Sequence, residues 1–111
     1  MGSTATRDRV HGRTLRFAFT EGPTTGKTYV HAFQEDGAVT YRDAGDRSGG
    51  PATGERVRCG AFAIADDVQL VSYRSPSGFS LTLALNVRSD EIVGVASNEA
   101  QWLPVRGRLA G

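Results

Sequence analysis

The chain has 111 residues, 39% of them hydrophobic, and a formal charge of +1, which is room for one domain with one core. So even a charge balance gives no bias toward polyanions and argues against a nucleic-acid partner, and no stretch approaches the ~20 apolar residues of a membrane-spanning helix. Cys59 is the single cysteine, which excludes an internal disulfide and reads as a small buried hydrophobe.

Residues 1–11 are small, polar or charged and read as a flexible leader before a single domain over 12–111. They carry no apolar stretch of the kind a secretory signal needs, so the expected location is the cytoplasm. Leu15, Phe17 and Phe19 then alternate with Arg16, Ala18 and Thr20, a period of two that predicts a half-buried strand. The connection from Glu21 to Gly26 leads to a second alternation, Tyr29, His31 and Phe33 against Val30, Ala32 and Gln34. Glu35-Asp36-Gly37 is a tight-turn sequence, because glycine accepts positive φ and aspartate caps its own backbone. Ala38 to Arg42 resumes the β pattern and closes a hairpin. From Asp43 to Gly54 the chain is rich in Gly, Ser, Pro and Thr without hydrophobic periodicity, the signature of a mobile loop.

Further strands are predicted at Arg56–Ala63, Val68–Arg74, Phe79–Val87, Glu91–Ser97 and Val105–Leu109, with turns at Ala65–Asp67 and Ser75–Gly78. Eight short strands joined mainly by tight turns, with no helical stretch, predict an all-β fold. The sheet is expected to close into an eight-stranded antiparallel up-and-down barrel of the calycin or lipocalin-like kind, which removes its edges. Such a barrel is either filled by side chains or hollow enough for one small ligand, and pattern alone leaves both open.

Three segments in order, Gly12–Phe19, Asp36 through Val39-Thr40-Tyr41-Arg42, and Val71–Gly78, resemble successive landmarks of the phenolic acid decarboxylases and the related MoaF-like proteins. The resemblance spans about residues 12–103 and implies a calycin-like barrel. Carried over residue by residue, it does not bring the decarboxylase chemistry with it. Phe17 and Phe19 stand where those enzymes have two tyrosines, and Ser75 stands where they have the glutamate before the turn proline. Pro51 follows Gly49-Gly50 where they have an arginine, with Arg47 and Arg56 as the nearby substitutes. Decarboxylation needs groups that bind the carboxylate and an acid that protonates the alkene carbon, and phenylalanine supplies neither.

If Phe17 and Phe19 point inward as in that family, Arg16 and Thr20 face water, and the same parity turns Val71, Tyr73 and Ser75 inward. Phe17, Phe19, Tyr73 and Ser75 then line one wall suited to a planar, apolar or aromatic ligand; plain core packing explains the same aromatics. Arg42 is a candidate for an anionic group of the ligand, while Tyr41 points the other way, so only one of the two faces inward. His31 and Arg42 are the catalytic candidates, His31 because an imidazole titrates near neutral pH, although a lone mid-strand histidine also serves as a surface or hydrogen-bonded residue. Arg74 reads as a solvated hairpin charge, and Asn86 as a strand-end residue satisfying turn backbone.

The stretch Gly22 to Thr28 is not a phosphate-binding loop, because its first glycine sits too close to Gly26-Lys27-Thr28 and no helix follows. His11 and His31 lack acidic companions, so no metal is expected, and no cofactor is called for. The first functional expectation is a small-molecule-binding barrel holding an apolar or aromatic ligand in a biosynthetic or metabolic pathway. The second is a cofactor-independent lyase, isomerase or cyclase on the same barrel, where orienting one conformer does much of the work. The third is a structural module that forms a homodimer through a barrel face.

Overall fold

The computed structural model describes residues 10, 12–45, 55–74 and 78–110. Its elements are β1 (Thr14–Glu21), β2 (Thr28–Phe33), β3 (Ala38–Asp43), β4 (Glu55–Ala65), β5 (Val68–Arg74), β6 (Ser80–Asn86), β7 (Glu91–Ser97) and β8 (Trp102–Ala110), with no helix among the described residues. Each strand pairs antiparallel with the next, and β8 returns to β1 through Phe17↔Leu109 and Phe19↔Gly107, so the sheet is a closed up-and-down barrel. This is the fold class that the alternating pattern predicts.

Register fixes which residues meet inside. Phe17 pairs with Tyr29 and Leu15 with His31; His31 pairs with Tyr41; Cys59 pairs with Tyr73 and Ala61 with Val71; Tyr73 pairs with Leu81 and Val71 with Leu83. Because side chains alternate strictly along a strand, one inward residue commits its whole ladder row to the interior. Phe17, Val39, Val71, Leu83, Leu85 and Ile92 are fully buried and form the centre of the core. Each of these side chains contributes roughly 1.5–3 kcal/mol by leaving water. The interior is therefore packed over most of its length. β4 contributes Val57, Cys59 and Ala61 there, none of them aromatic, while its large side chains Phe62 and Ile64 face outward and are exposed.

Two glycines make room for this packing. Gly94 faces Leu83 and Gly107 faces Phe19 across their ladders. A Cβ at Gly94 would overlap the Thr82 carbonyl and lie 2.8 Å from Leu83 Cα, and one at Gly107 would lie 2.5 Å from the Ala18 carbonyl oxygen. Backbone thus sits where any side chain would go.

The turn chemistry follows the sequence. Gly37 has φ 90°, and Asp36 Oδ1 accepts from Ala38 N at 3.2 Å. Asn86 Oδ1 accepts from the backbone of Arg88 and Ser89, the turn role expected of it. β8 differs from expectation by starting at Trp102 and running through Pro104. The β1–β8 ladder reaches only Arg106, so Pro104 is paired on one side alone, an edge position that tolerates a missing N–H.

A second difference concerns the leader. Val10 has no exposed surface and belongs to the core cluster; Arg13 N donates to its carbonyl at 3.0 Å, and Gly12 N to Phe33 O at 2.7 Å. Val10 thus packs at the barrel end opposite the β1–β2 and β5–β6 connections. No described helix is long and apolar enough to cross a membrane.

Candidate functional site

At the end of the barrel that carries the β1–β2, β3–β4 and β5–β6 connections, the packing leaves a cavity of about 60 Å³ lined by Phe19, Thr24, Tyr29, His31, Tyr41, Tyr73 and Leu81. That volume is on the order of two water molecules, far below the ~300–1,000 Å³ of a pocket that engulfs a drug-sized ligand. Among the described residues the side chains of the core fill the barrel below this mouth. A larger concavity of about 380 Å³ lies at the opposite end, beside Arg13, Arg16 and Asp90, away from these aromatic side chains.

The floor of the cavity is a buried polar pair. His31 is 1% exposed and Tyr73 4%, and Tyr73 Oη lies 2.6 Å from His31 Nε2. The two residues come from β2 and β5, which share no ladder, so they meet across the interior. His31 Nδ1 lies 3.3 Å from the Tyr29 carbonyl oxygen. Aromatic rings fix the imidazole plane: Phe17 stacks on it at 3.9 Å between centroids and 18° between planes, Tyr41 lies at 5.6 Å and 21°, and Tyr73 meets it edge-on at 5.4 Å. Burial pushes the His31 pKa down to about 4, with the Tyr29 carbonyl contact opposing it weakly. Burial raises the Tyr73 phenol well above its ordinary range, reinforced by Tyr41, Cys59 and Tyr29. Both groups are neutral at physiological pH.

The candidates from sequence are distributed unevenly around this site. Phe19 and Tyr73 line the cavity, whereas Phe17 lies behind His31 as its stacking partner. His31 is buried and hydrogen-bonded rather than on the surface. Arg42 stands opposite Val30 in the ladder and shares an outer-face depression with Arg16, Val30, Ala32 and Thr40, so it is not brought to the cavity; Tyr41 is the inward one of that pair. Ser75, like His11, Arg47 and Pro51, lies outside the described residues, as does most of the Asp43–Gly54 loop. Arg56 is turned outward, paired with Asp36. Cys59 is half-buried rather than enclosed, with its thiol pKa raised by burial.

Sequence reasoning missed Tyr29, Leu81 and Thr24. Tyr29 was legible from its two-residue spacing to His31, and Leu81 from its parity with Leu83 and Leu85. Thr24 belongs to a connection, where periodicity gives no direction. Among the described residues no group of three His, Cys, Asp or Glu side chains is placed to hold a metal ion.

No protein-family model and no curated protein matches this chain. Among solved structures, it is similar to a chain from Burkholderia vietnamiensis described as a "putative beta-lactamase", with a TM-score of 0.69 over 94% of this chain and 96% of that one. The sequence identity is 15%. At that identity the likeness is one of fold.

Proposed function

We propose that this protein is a small-molecule-binding barrel that takes an apolar or aromatic ligand at the loop end of the barrel, in a biosynthetic or metabolic pathway. The observation that carries this reading is the cavity itself: rings of Phe19, Tyr29, Tyr41 and Tyr73 around the hydrogen-bonded His31–Tyr73 pair at the floor. Apolar walls with few, fixed polar groups are the usual makeup of a ligand site. Its small volume means that the tip of the ligand enters the barrel while the remainder rests in the mouth near Thr24. The resemblance to the MoaF-like proteins and phenolic acid decarboxylases supports the same reading, with Phe17 and Phe19 in place of the decarboxylases' tyrosines.

The acidity of His31 favours binding over acid–base catalysis. A general base works best with a pKa near the operating pH, and an imidazole held at about 4 is a weak proton acceptor at pH 7. The description of the Burkholderia vietnamiensis protein does not suggest the activity here. Hydrolysis of a lactam by covalent catalysis needs an activated nucleophile, and among the described residues that line the cavity there is no serine or cysteine.

Incubating the pure chain with a metabolite extract and identifying retained compounds by mass spectrometry tests the proposal. A retained aromatic or apolar compound is expected, and Thr24→Trp, which fills the mouth from a loop position, should abolish its retention. Retention of nothing, or retention unchanged in Thr24→Trp, counts against it.

A further inference from the structure

The sense of the hydrogen bond between His31 and Tyr73 follows from what each end touches. A carbonyl oxygen only accepts, so the 3.3 Å contact between His31 Nδ1 and Tyr29 O places a proton on Nδ1. The imidazole is neutral at physiological pH, so Nε2 carries a lone pair. Tyr73 Oη, 2.6 Å from Nε2, is therefore the donor, and a phenol has one proton to give. Stacking by Phe17 at 3.9 Å and 18° holds the ring so that the two nitrogens keep these partners. Tyr73 is thereby left with acceptor capacity only, and donation to the imidazole polarises its oxygen further.

We propose that the cavity admits its ligand with a hydrogen-bond donor at the buried tip, a hydroxyl or ring N–H directed at Tyr73 Oη, and selects against a carbonyl, ether or carboxylate in that position. This rests on the ligand-binding reading above and adds the polarity of the group recognised. An acceptor brought against Tyr73 Oη would set two buried lone pairs face to face with no proton between them. Sites built around a buried polar group discriminate strongly on that ground. His31 touches no ligand in this scheme; it positions Tyr73 and sets the sense of its hydrogen bond.

Pyrrole and furan are probes of nearly the same shape, one presenting an N–H and the other an oxygen lone pair. Titrating the isotope-labelled full chain with each, and following the resonances of His31 and Tyr73, gives two dissociation constants. Furan is the more apolar ring, so apolar burial alone ranks it first, whereas the proposal ranks pyrrole first by about tenfold, the value of one hydrogen bond. Equal affinity or tighter furan binding overturns the donor preference and leaves the ligand-binding reading standing. Binding of neither ring at Tyr73 removes that reading, and this inference with it.

His31→Leu frees the Tyr73 proton to donate, and the two constants should then converge to within about threefold. A tenfold preference that survives in His31→Leu overturns the role given to His31. Should that variant fail to fold, the ligand-free wild-type protein still decides: its nitrogen spectrum at pH 7 should show Nδ1 protonated and Nε2 as the bare, pyridine-type nitrogen. The opposite tautomer would make Tyr73 the acceptor in the pair and reverse the predicted selectivity, which would overturn the proposal.

Discussion

Tyr73 and His31 stand 42 residues apart in sequence and meet at 2.6 Å inside the barrel, where burial keeps both rings neutral. The pair satisfies the polar ends of two otherwise apolar side chains. Both are almost wholly shielded from bulk water, so each depends chiefly on the other. A buried pair of this kind ties the site to the stability of the fold, and its consequences reach beyond the cavity.

One consequence is a pH dependence of stability that a surface histidine would not show. The His31 pKa falls from 6.5 in the unfolded chain to about 4 in the folded one, so between these values the unfolded state binds the extra proton. Stability is fully present above pH 6.5 and is lost as the pH falls toward 4, by roughly 3 kcal/mol in all. Urea unfolding of the wild type and of His31→Leu across pH 7 to 4.5 isolates this contribution from the carboxylates. The wild type should lose about one proton's worth more per unit, on the order of 1.4 kcal/mol; parallel slopes for the two proteins would mean that His31 is not buried neutral.

Gly94→Ala tests the packing from the other side of the barrel. The new Cβ would collide with the Thr82 carbonyl and Leu83 Cα of β6, which are backbone and cannot rotate away. A loss of about 3 kcal/mol or more in chemical denaturation is expected, at the upper end for an overpacked core. Gly26→Ala faces open space on a surface turn and, despite its φ of 86°, should cost only about 1 kcal/mol.

Incubation with p-coumaric acid should yield no vinylphenol and no carbon dioxide above a heat-inactivated control. The two first-strand positions where the resembled decarboxylases carry tyrosines hold Phe17, stacked on His31, and Phe19, on the cavity wall. Neither ring offers a proton or a hydrogen bond to a carboxylate. Measurable turnover would require a polar set that the described residues do not provide.

The strands were legible because their inward positions alternate cleanly; β5 and β7 begin and end where their pattern does. The pattern of β8 is shorter than the strand because Pro104 looks like a boundary until its one-sided pairing is known. Val10 is buried in the core, yet one valine among polar residues has no period that reports it. The Tyr41–Arg42 alternation showed that only one could face inward, but choosing between them needed the pairing of His31 with Tyr41. The His31–Tyr73 bond was out of reach. It depends on how far the closed barrel staggers β2 against β5, and no local pattern encodes the stagger between strands that do not touch.

Phe17 and Phe19 offer a final comparison, since they are alternate residues of one strand in different surroundings. Phe17 is fully buried against His31, and Phe19 borders the cavity. Truncation of either to alanine should cost about 3–5 kcal/mol, because each fills core volume, whereas Arg16→Ala between them should stay within about 0.5 kcal/mol. Tyrosine separates the two sites. At position 19 the added hydroxyl has the cavity beside it and a route to solvent, so Phe19→Tyr should lower stability by less than about 1 kcal/mol. At position 17 the same hydroxyl enters packed rings and should cost about 1–3 kcal/mol. Thermal and urea unfolding of the variants decides the matter: if Phe19→Tyr is as damaging as Phe19→Ala, the mouth is closed in solution and the barrel has no room for a ligand.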